Sequence, residues 1–176
     1  FGPPGAGKGT QADKISKEYN FFKVSTGDLL RDEINKKTEL GMKIKSSILK
    51  GHLVSDSIIN NLIEVILSNK KYYNRLIFDG MPRTLIQAKE LENSLSKFNQ
   101  KLYCVFSLNV NKETIVKRIM GRQICSKCGL TFNEYFNVLD KTKHECGSQY
   151  LEKRSDDNKS TVEARYETYL KQTKSI

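Results

Sequence analysis

The sequence predicts an α/β fold with a parallel sheet, and three observations predict it. Short apolar runs alternate with amphipathic helical stretches along most of the chain. A glycine-rich loop, FGPPGAGKGT, runs straight into the first helical stretch. The apolar run RLIFDG ends in Asp79 and Gly80, at the strand end where α/β sheets place ligand groups.

The elements follow in order. QADKISKEYN carries Ile15 and Tyr19 one turn apart and reads as a helix. FFKVSTG is a short extended segment, after which Ser25, Thr26 or Asp28 can cap the helix DLLRDEINKK. ELGMKIKSSILKG is a further helix that stops at Gly51. Beyond HLVSD, apolar residues recur at helical spacing through SIINNLIEVILSNKKY. RLIFDG is a strand, and LIQAKELENSLSKF, after MPRT, a helix. KLYCVFSLNV is apolar on both faces and reads as a strand buried in the sheet, which makes Cys104 an inert core residue. NKETIVKRIMGR is a helix that puts Arg118 and Arg122 on one face at i, i+4. A cysteine-bearing segment follows, then YLEKRSDDN and a last helix, STVEARYETYLKQT. There is no internal repeat and no low-complexity linker. Only Phe1 precedes the glycine loop and the sequence stops on a helix, so both ends are expected to lack a strand.

The bulk composition narrows the class. With 176 residues, 38% of them hydrophobic, the chain suits one globular domain with room for an inserted subdomain. No run approaches the ~18 apolar residues of a membrane helix, and the opening residues do not read as a signal peptide. Four cysteines, two of them in a CxxC, suit a reducing compartment and metal binding more than disulfides. The net charge of +10 fits either a lysine-rich surface or a polyanion partner. Its division separates the two: there are 23 lysines but seven arginines, and a sparingly used arginine is expected where a planar bidentate cation meets phosphate.

The glycine loop carries the first chemistry. Gly2-x-x-x-x-Gly7-Lys8 matches the start of a Walker A motif. Its glycines let backbone N–H groups turn inward around phosphate oxygens, Lys8 adds a point charge, and the next helix presents its N-terminus. One departure is visible: Gly9 follows Lys8, so the hydroxyl of Thr10 is displaced by one position from the usual magnesium-binding place.

Taken together, FGPPGAGKGTQ, STGDLLR, GHLVSD, DGMPRT and RSDDNKSTVEARYETY closely resemble adenylate kinase, in the nucleoside monophosphate kinase family. The resemblance runs from Phe1 to Ile176, and the segment between Arg122 and Arg154 resembles the long-lid, zinc-bearing subgroup. It implies a P-loop NTPase-type three-layer α/β/α core with a parallel sheet, an AMP-binding helical insertion and a small β-rich lid. The expected division is a core of residues 1–24, 55–120 and 158–176, an AMP-binding domain of 25–54, and a lid of 121–157. The implied reaction is reversible, magnesium-dependent transfer of the γ-phosphoryl group of ATP to AMP, giving two ADP, for adenine nucleotide homeostasis. The implied protein is a cytoplasmic monomer with small-molecule substrates and no nucleic-acid or membrane partner.

Residue by residue, the resemblance puts ATP on Gly5, Ala6, Gly7, Lys8, Gly9 and Thr10, with Arg122, Thr131 and Phe132. It puts the AMP phosphate on Arg31 and Arg83, and the adenine side on Thr26, His52, Val54, Gly80 and Gln87. Arg118 and Arg122 match arginines that hold the transferring phosphates, and Arg154 and Arg165 match lid-side arginines. Asp79 matches the aspartate that organises magnesium through water, Asp28 fits magnesium water or a helix cap, and Asp156 and Asp157 fit hydrogen bonding to the arginines. Arg75 alone among the arginines is unassigned. Met81 stands where an aromatic is more usual and His52 where lysine is common, so AMP use is expected with altered affinity. An acceptor phosphate already ionised near neutral pH needs no general base, and the implied catalysis rests on positioning, charge neutralisation and water exclusion.

CSKCGLTFNEYFNVLDKTKHECG pairs Cys125-x-x-Cys128 with Cys146. The subgroup's second pair would place a ligand at Lys143, which is not one, or at Gln149 counting forward. His144 is the nearby good donor, so the expected zinc ligands are Cys125, Cys128, His144 and Cys146. A metal-free, degenerate knuckle is the alternative. Other readings of the chain are a kinase for another nucleoside monophosphate, a basic nucleic-acid-binding zinc module, and a catalytically dead fragment. Against the zinc module, the loop is mixed in charge and carries no basic recognition helix.

Overall fold

A computed structural model describes residues 1–136 and 144–176. Two strands, β1 (Phe22–Ser25) and β2 (Leu76–Asp79), pair in parallel with Ser25 opposite Asp79. Parallel pairing brings both C-terminal strand ends to one edge, beside the loop that feeds α1 (Lys8–Tyr19). Helix α1 packs on both strands.

The helical insertion comes next. Helix α2 (Thr26–Asn35) is capped by Ser25, whose hydroxyl accepts from the Asp28 N–H, so Ser25 takes the cap and Asp28 falls in the first turn. Helix α3 (Glu39–Leu49) is capped by Thr38 in the same way, and Gly51, at φ 76°, turns the chain out of it. Gly41 lets α2 and α3 touch: a Cβ there would sit 2.2 Å from the Glu33 carbonyl oxygen.

Helix α4 (Asp56–Leu67) buries Ile59, Ile63 and Leu67 at helical spacing. It ends at Leu67, short of the run to Tyr72 that periodicity suggests. Ser68 and Asn69 close it, and Asn69 caps a separate short turn over Lys70–Tyr72. Helix α5 (Leu85–Lys97) lies against α4, and their apolar faces join Val24, Leu30 and Ile44 in the main core. Helix α6 (Lys112–Met120) and α7 (Lys159–Thr168) form a second small core of Ile115, Ile119 and Val162. A wider helical turn continues α7 over Tyr169–Thr173.

Two expectations fail here. KLYCVFSLNV is not a strand of the sheet. Its backbone meets only Phe1, through the Leu108 N–H and the Phe106 carbonyl, among the described residues. With no strand or helix covering its faces, Leu102, Tyr103, Val105 and Phe106 are exposed, and Cys104 is exposed too rather than a core residue. Arg122 also does not share a helix face with Arg118. Gly121 ends α6, and Arg122 opens β3 (Arg122–Cys125). Strand β3 pairs antiparallel with β4 (Thr131–Asn133) and β5 (Leu151–Glu152), in the order β4-β3-β5. Among the described residues, no helix is long and apolar enough to cross a membrane.

Candidate active site

The glycine loop is bent by its own glycines. Gly2, Gly5 and Gly7 take φ of 136°, 76° and 96°, a region other residues rarely enter. At Gly5 the close approach is to α6, because a Cβ there would meet Ile119 at 2.9 Å. Helix α1 starts at Lys8, three residues before periodicity marks it, and so points its N-terminus into the loop. Lys8 folds back over the loop, its Nζ donating to the Gly2 and Pro3 carbonyls at 2.7 and 2.9 Å. Asp79 lies just behind, with its Oδ2 3.2 Å from where a Gly9 Cβ would be, and makes no salt bridge among the described residues. Thr10 is exposed in the first turn of α1.

Six arginines from five parts of the chain gather beside this loop. Arg118 donates to the Ala6 carbonyl at 3.1 Å. Arg83 donates to the Gly80 carbonyl at 2.6 Å, and Thr26 reaches the same oxygen at 3.0 Å. Arg31 bonds Asp28 Oδ1 at 2.5 Å, and Arg154, from the β-rich segment, reaches the same oxygen at 3.4 Å. Arg122 grips the buried Asp157 through two parallel hydrogen bonds, and Arg165 pairs with the buried Asp156 at 3.0 Å. The two aspartates are thus held by arginines rather than solvated in a turn. Arg75 stands apart, bonding the Asn20 carbonyl at 3.1 Å.

The carboxylates do not offset this charge. Burial first, and then neighbouring guanidiniums (Arg165 for Arg83, Arg122 for Arg154), bring Arg83 and Arg154 down to about 10. Arg165 is lowered likewise, by burial first and then by Arg122 and Arg31 against the opposing Asp156. Burial brings Lys8 down to about 8, with Asp79 opposing and Arg83, Arg165 and Arg122 adding to the drop. Asp28 goes the other way: burial opposes its ionisation, but hydrogen bonds from Arg31 and Ser25 and the charge of Arg154 hold it below the usual carboxylate range.

Two clefts meet at this cation cluster. One is lined by Thr26, Arg31, His52, Val54 and Gln87, the other by Pro4, Lys8, Phe78 and Met81, and both share Gly80, Arg83 and Arg165. Met81 is buried in the core and lines only the second cleft. The amide of Gln87 is committed at both ends: Oε1 accepts from the Arg83 N–H at 2.8 Å and Nε2 donates to Asp56 Oδ1 at 2.7 Å. Spacing gave no hint of the Asp56 contact, which joins residues 31 apart in the chain.

At the tip of the β-rich segment, Cys125, Cys128, His144 and Cys146 turn their donor atoms together, all within 4.8 Å of one another. Cys128 Sγ and His144 Nε2 are 3.5 Å apart, near the ~3.5–3.8 Å edge of a zinc tetrahedron built from thiolates and imidazole. Burial pushes the Cys125 thiol up, but the backbone N–H groups of Cys128 and Lys127 outweigh it and bring it to about 6. Burial and the neighbouring thiols push Cys146 up to about 11. This donor set, with His144 as its fourth member, is one that fits a structural zinc. Phe132 packs its ring on His144 with centroids 4.8 Å apart, and Thr131 precedes it on β4. Lys143 lies outside the described residues.

A phosphate loop on a parallel sheet, faced by crowded guanidiniums and two joined clefts, is the arrangement of a P-loop phosphotransferase. Residues 1–176 match the family model described as Adenylate kinase. The chain is 52% identical over 176 residues to an adenylate kinase of Pelagibacter ubique (strain HTCC1062), covering 100% of this chain and 83% of that protein. It is 43% identical over 179 residues to one of Listeria monocytogenes serotype 4a (strain HCC23), covering 100% and 82%, and 40% identical over 180 residues to one of Petrotoga mobilis (strain DSM 10674 / SJ95), covering 100% and 81%. The chain belongs to the adenylate kinase family, and its Cys3His cluster supports a place in the zinc-bearing lid subgroup.

Proposed function

We infer that the chain is an ATP:AMP phosphotransferase, interconverting ATP plus AMP with two ADP. The observation that carries this reading is the shared wall: two clefts, one bearing Lys8 of the phosphate loop and one bearing Arg31 and Gln87, meet at Gly80, Arg83 and Arg165. A group passing between ligands in the two clefts passes that wall.

The roles follow from charge. The backbone N–H groups of residues 5–10 and Lys8 hold the ATP phosphates, and Arg31 and Arg83 hold the phosphate of AMP. Arg118, Arg122, Arg154 and Arg165 neutralise the charge spread over the transferring group, which needs no base from the protein. Burial and mutual repulsion lower the arginines, and the charge of a polyphosphate would offset that repulsion. Magnesium arriving with ATP would neutralise phosphate charge, and Asp79 is the carboxylate beside the loop that would hold its water. Residues 121–157 act as a lid over the ATP side and 25–54 as the AMP-binding unit, with the remainder as the core. Closing both excludes the water that would otherwise take the phosphoryl group. Thr131 and Phe132 sit on the lid sheet, where the adenine of ATP is expected. Zinc on Cys125, Cys128, His144 and Cys146 stiffens the lid tip and takes no part in transfer.

The test is a coupled assay with AMP, UMP, CMP and GMP as acceptors. AMP is expected to be the best acceptor, and a better rate with a pyrimidine monophosphate overturns the assignment.

A further inference from the structure

The amide of Gln87 could in principle present itself to a base in two ways, oxygen and nitrogen exchanged. Its surroundings permit one. The Arg83 backbone N–H can only donate, and it meets Oε1. The Asp56 carboxylate can only accept, and it meets Nε2. Thr84 closes the circuit: its hydroxyl accepts from the Gln87 N–H at 3.1 Å and donates to the same Asp56 oxygen at 3.2 Å. Turning the amide over would set donor against donor at Arg83 and acceptor against acceptor at Asp56. The group is buried, so water cannot repair either mismatch. Asp56 itself is fixed as the first residue of α4.

An amide so held still has one N–H and one lone pair unused, and Gln87 lines the monophosphate cleft. That choice of polarity matters for purines. The 6-amino edge of adenine offers a donor at N6 and an acceptor at N1. The 6-oxo edge of hypoxanthine offers the reverse, an acceptor at O6 and a donor at N1. The two edges need opposite orientations of one amide.

We propose that Asp56 is a specificity-determining positioning residue, which locks Gln87 in the orientation that accepts 6-aminopurine monophosphates and rejects 6-oxopurine ones. This rests on the reading of Gln87 as the residue that faces the base. Asp56 touches neither substrate nor reacting phosphate; it acts through Gln87. An asparagine there can turn its own amide to meet either end of Gln87, which leaves the Arg83 N–H as the one remaining constraint on the orientation, while an alanine would leave Nε2 without its partner.

The test is the ratio of dissociation constants for AMP and IMP, measured by titration calorimetry on the wild-type chain, Asp56→Asn and Asp56→Ala, with thermal melts on the same samples. A ratio isolates specificity, because a merely structural lesion weakens both ligands alike. The wild-type protein is expected to favour AMP by about 10²-fold or more, and Asp56→Asn to narrow that preference at least about tenfold, partly by tighter IMP binding. If the wild type discriminates and both folded variants keep its ratio within about twofold, the proposal alone is overturned. If the wild type binds AMP and IMP alike, the reading of Gln87 as the base-facing residue falls, and the proposal with it.

Discussion

Lys8 carries the clearest consequence at the scale of single residues. Its ammonium lies near about pH 8 because burial and three nearby arginines work against its charge, and Asp79 only partly restores it. A triphosphate would restore it fully, so above that pH nucleotide binding must take up a proton. ATP affinity is expected to fall as pH rises through about 8, and calorimetry in buffers of different ionisation enthalpy should register proton uptake that grows over the same range. For stability the sign is opposite to that of an ion-paired lysine. The folded value lies below the ordinary 10.5, so the unfolded chain binds more protons between about 8 and 10.5. The charged Lys8 therefore weakens the empty fold below about pH 8, and this weakening is relieved as pH rises towards 10.5. Much at this scale was legible in the sequence. Rare arginines among abundant lysines marked a phosphate site, and the structure gathers all but Arg75 around the loop. The Asp28–Arg31 pair is local, three residues apart on α2, but which aspartate holds Arg122, Arg154 or Arg165 was not legible, because those pairs form through packing of separate parts of the chain.

At the scale of elements, two contacts shape the helical insertion and the β-rich segment. Helices α2 and α3 meet so closely at Gly41 that any side chain there collides with backbone, which has no rotamer to yield. Gly41→Ala is expected to cost about 1–3 kcal/mol in urea unfolding and to weaken AMP binding more than ATP binding; a loss below about 0.5 kcal/mol would show that the contact carries nothing. At the other end, the Cys3His knuckle joins β3 to residues beyond β4. Metal analysis is expected to find about one zinc per chain. Chelation should lower the melting temperature by several degrees while leaving the transfer rate in the cold little changed, if the metal, as proposed, would stiffen this segment and touch no phosphate. Helix ends with clear chemistry were largely legible: the cap of α2 is Ser25, one of the three candidates the sequence offers, and Gly51 turns the chain where the sequence stops the helix. The segment 101–110 was not, because an apolar run gives a residue's preference for burial but not the neighbours that would bury it. The same limit placed Arg122 on a helix that Gly121 ends.

The whole molecule arranges a polyanion site between parts that each contribute cations. The loop and α1 bring Lys8, the helical insertion brings Arg31, the strand-to-helix turn after β2 brings Arg83, α6 brings Arg118, and the β-rich segment and α7 bring Arg122, Arg154 and Arg165. Burial and these cations' mutual repulsion lower them, and Asp28 links the insertion to the β-rich segment by holding both Arg31 and Arg154. The central claim is that one chain of phosphates spanning both clefts is what this arrangement fits. The most direct measurement is a crystal structure with a two-headed ATP–AMP mimic, a bis-adenosine pentaphosphate. The predicted result has its phosphates running from the Lys8 loop to Arg31 and Arg83, with Arg118, Arg122, Arg154 and Arg165 all within hydrogen-bonding reach. Phosphates bound in one cleft only, with those arginines still committed to their aspartates, would contradict it.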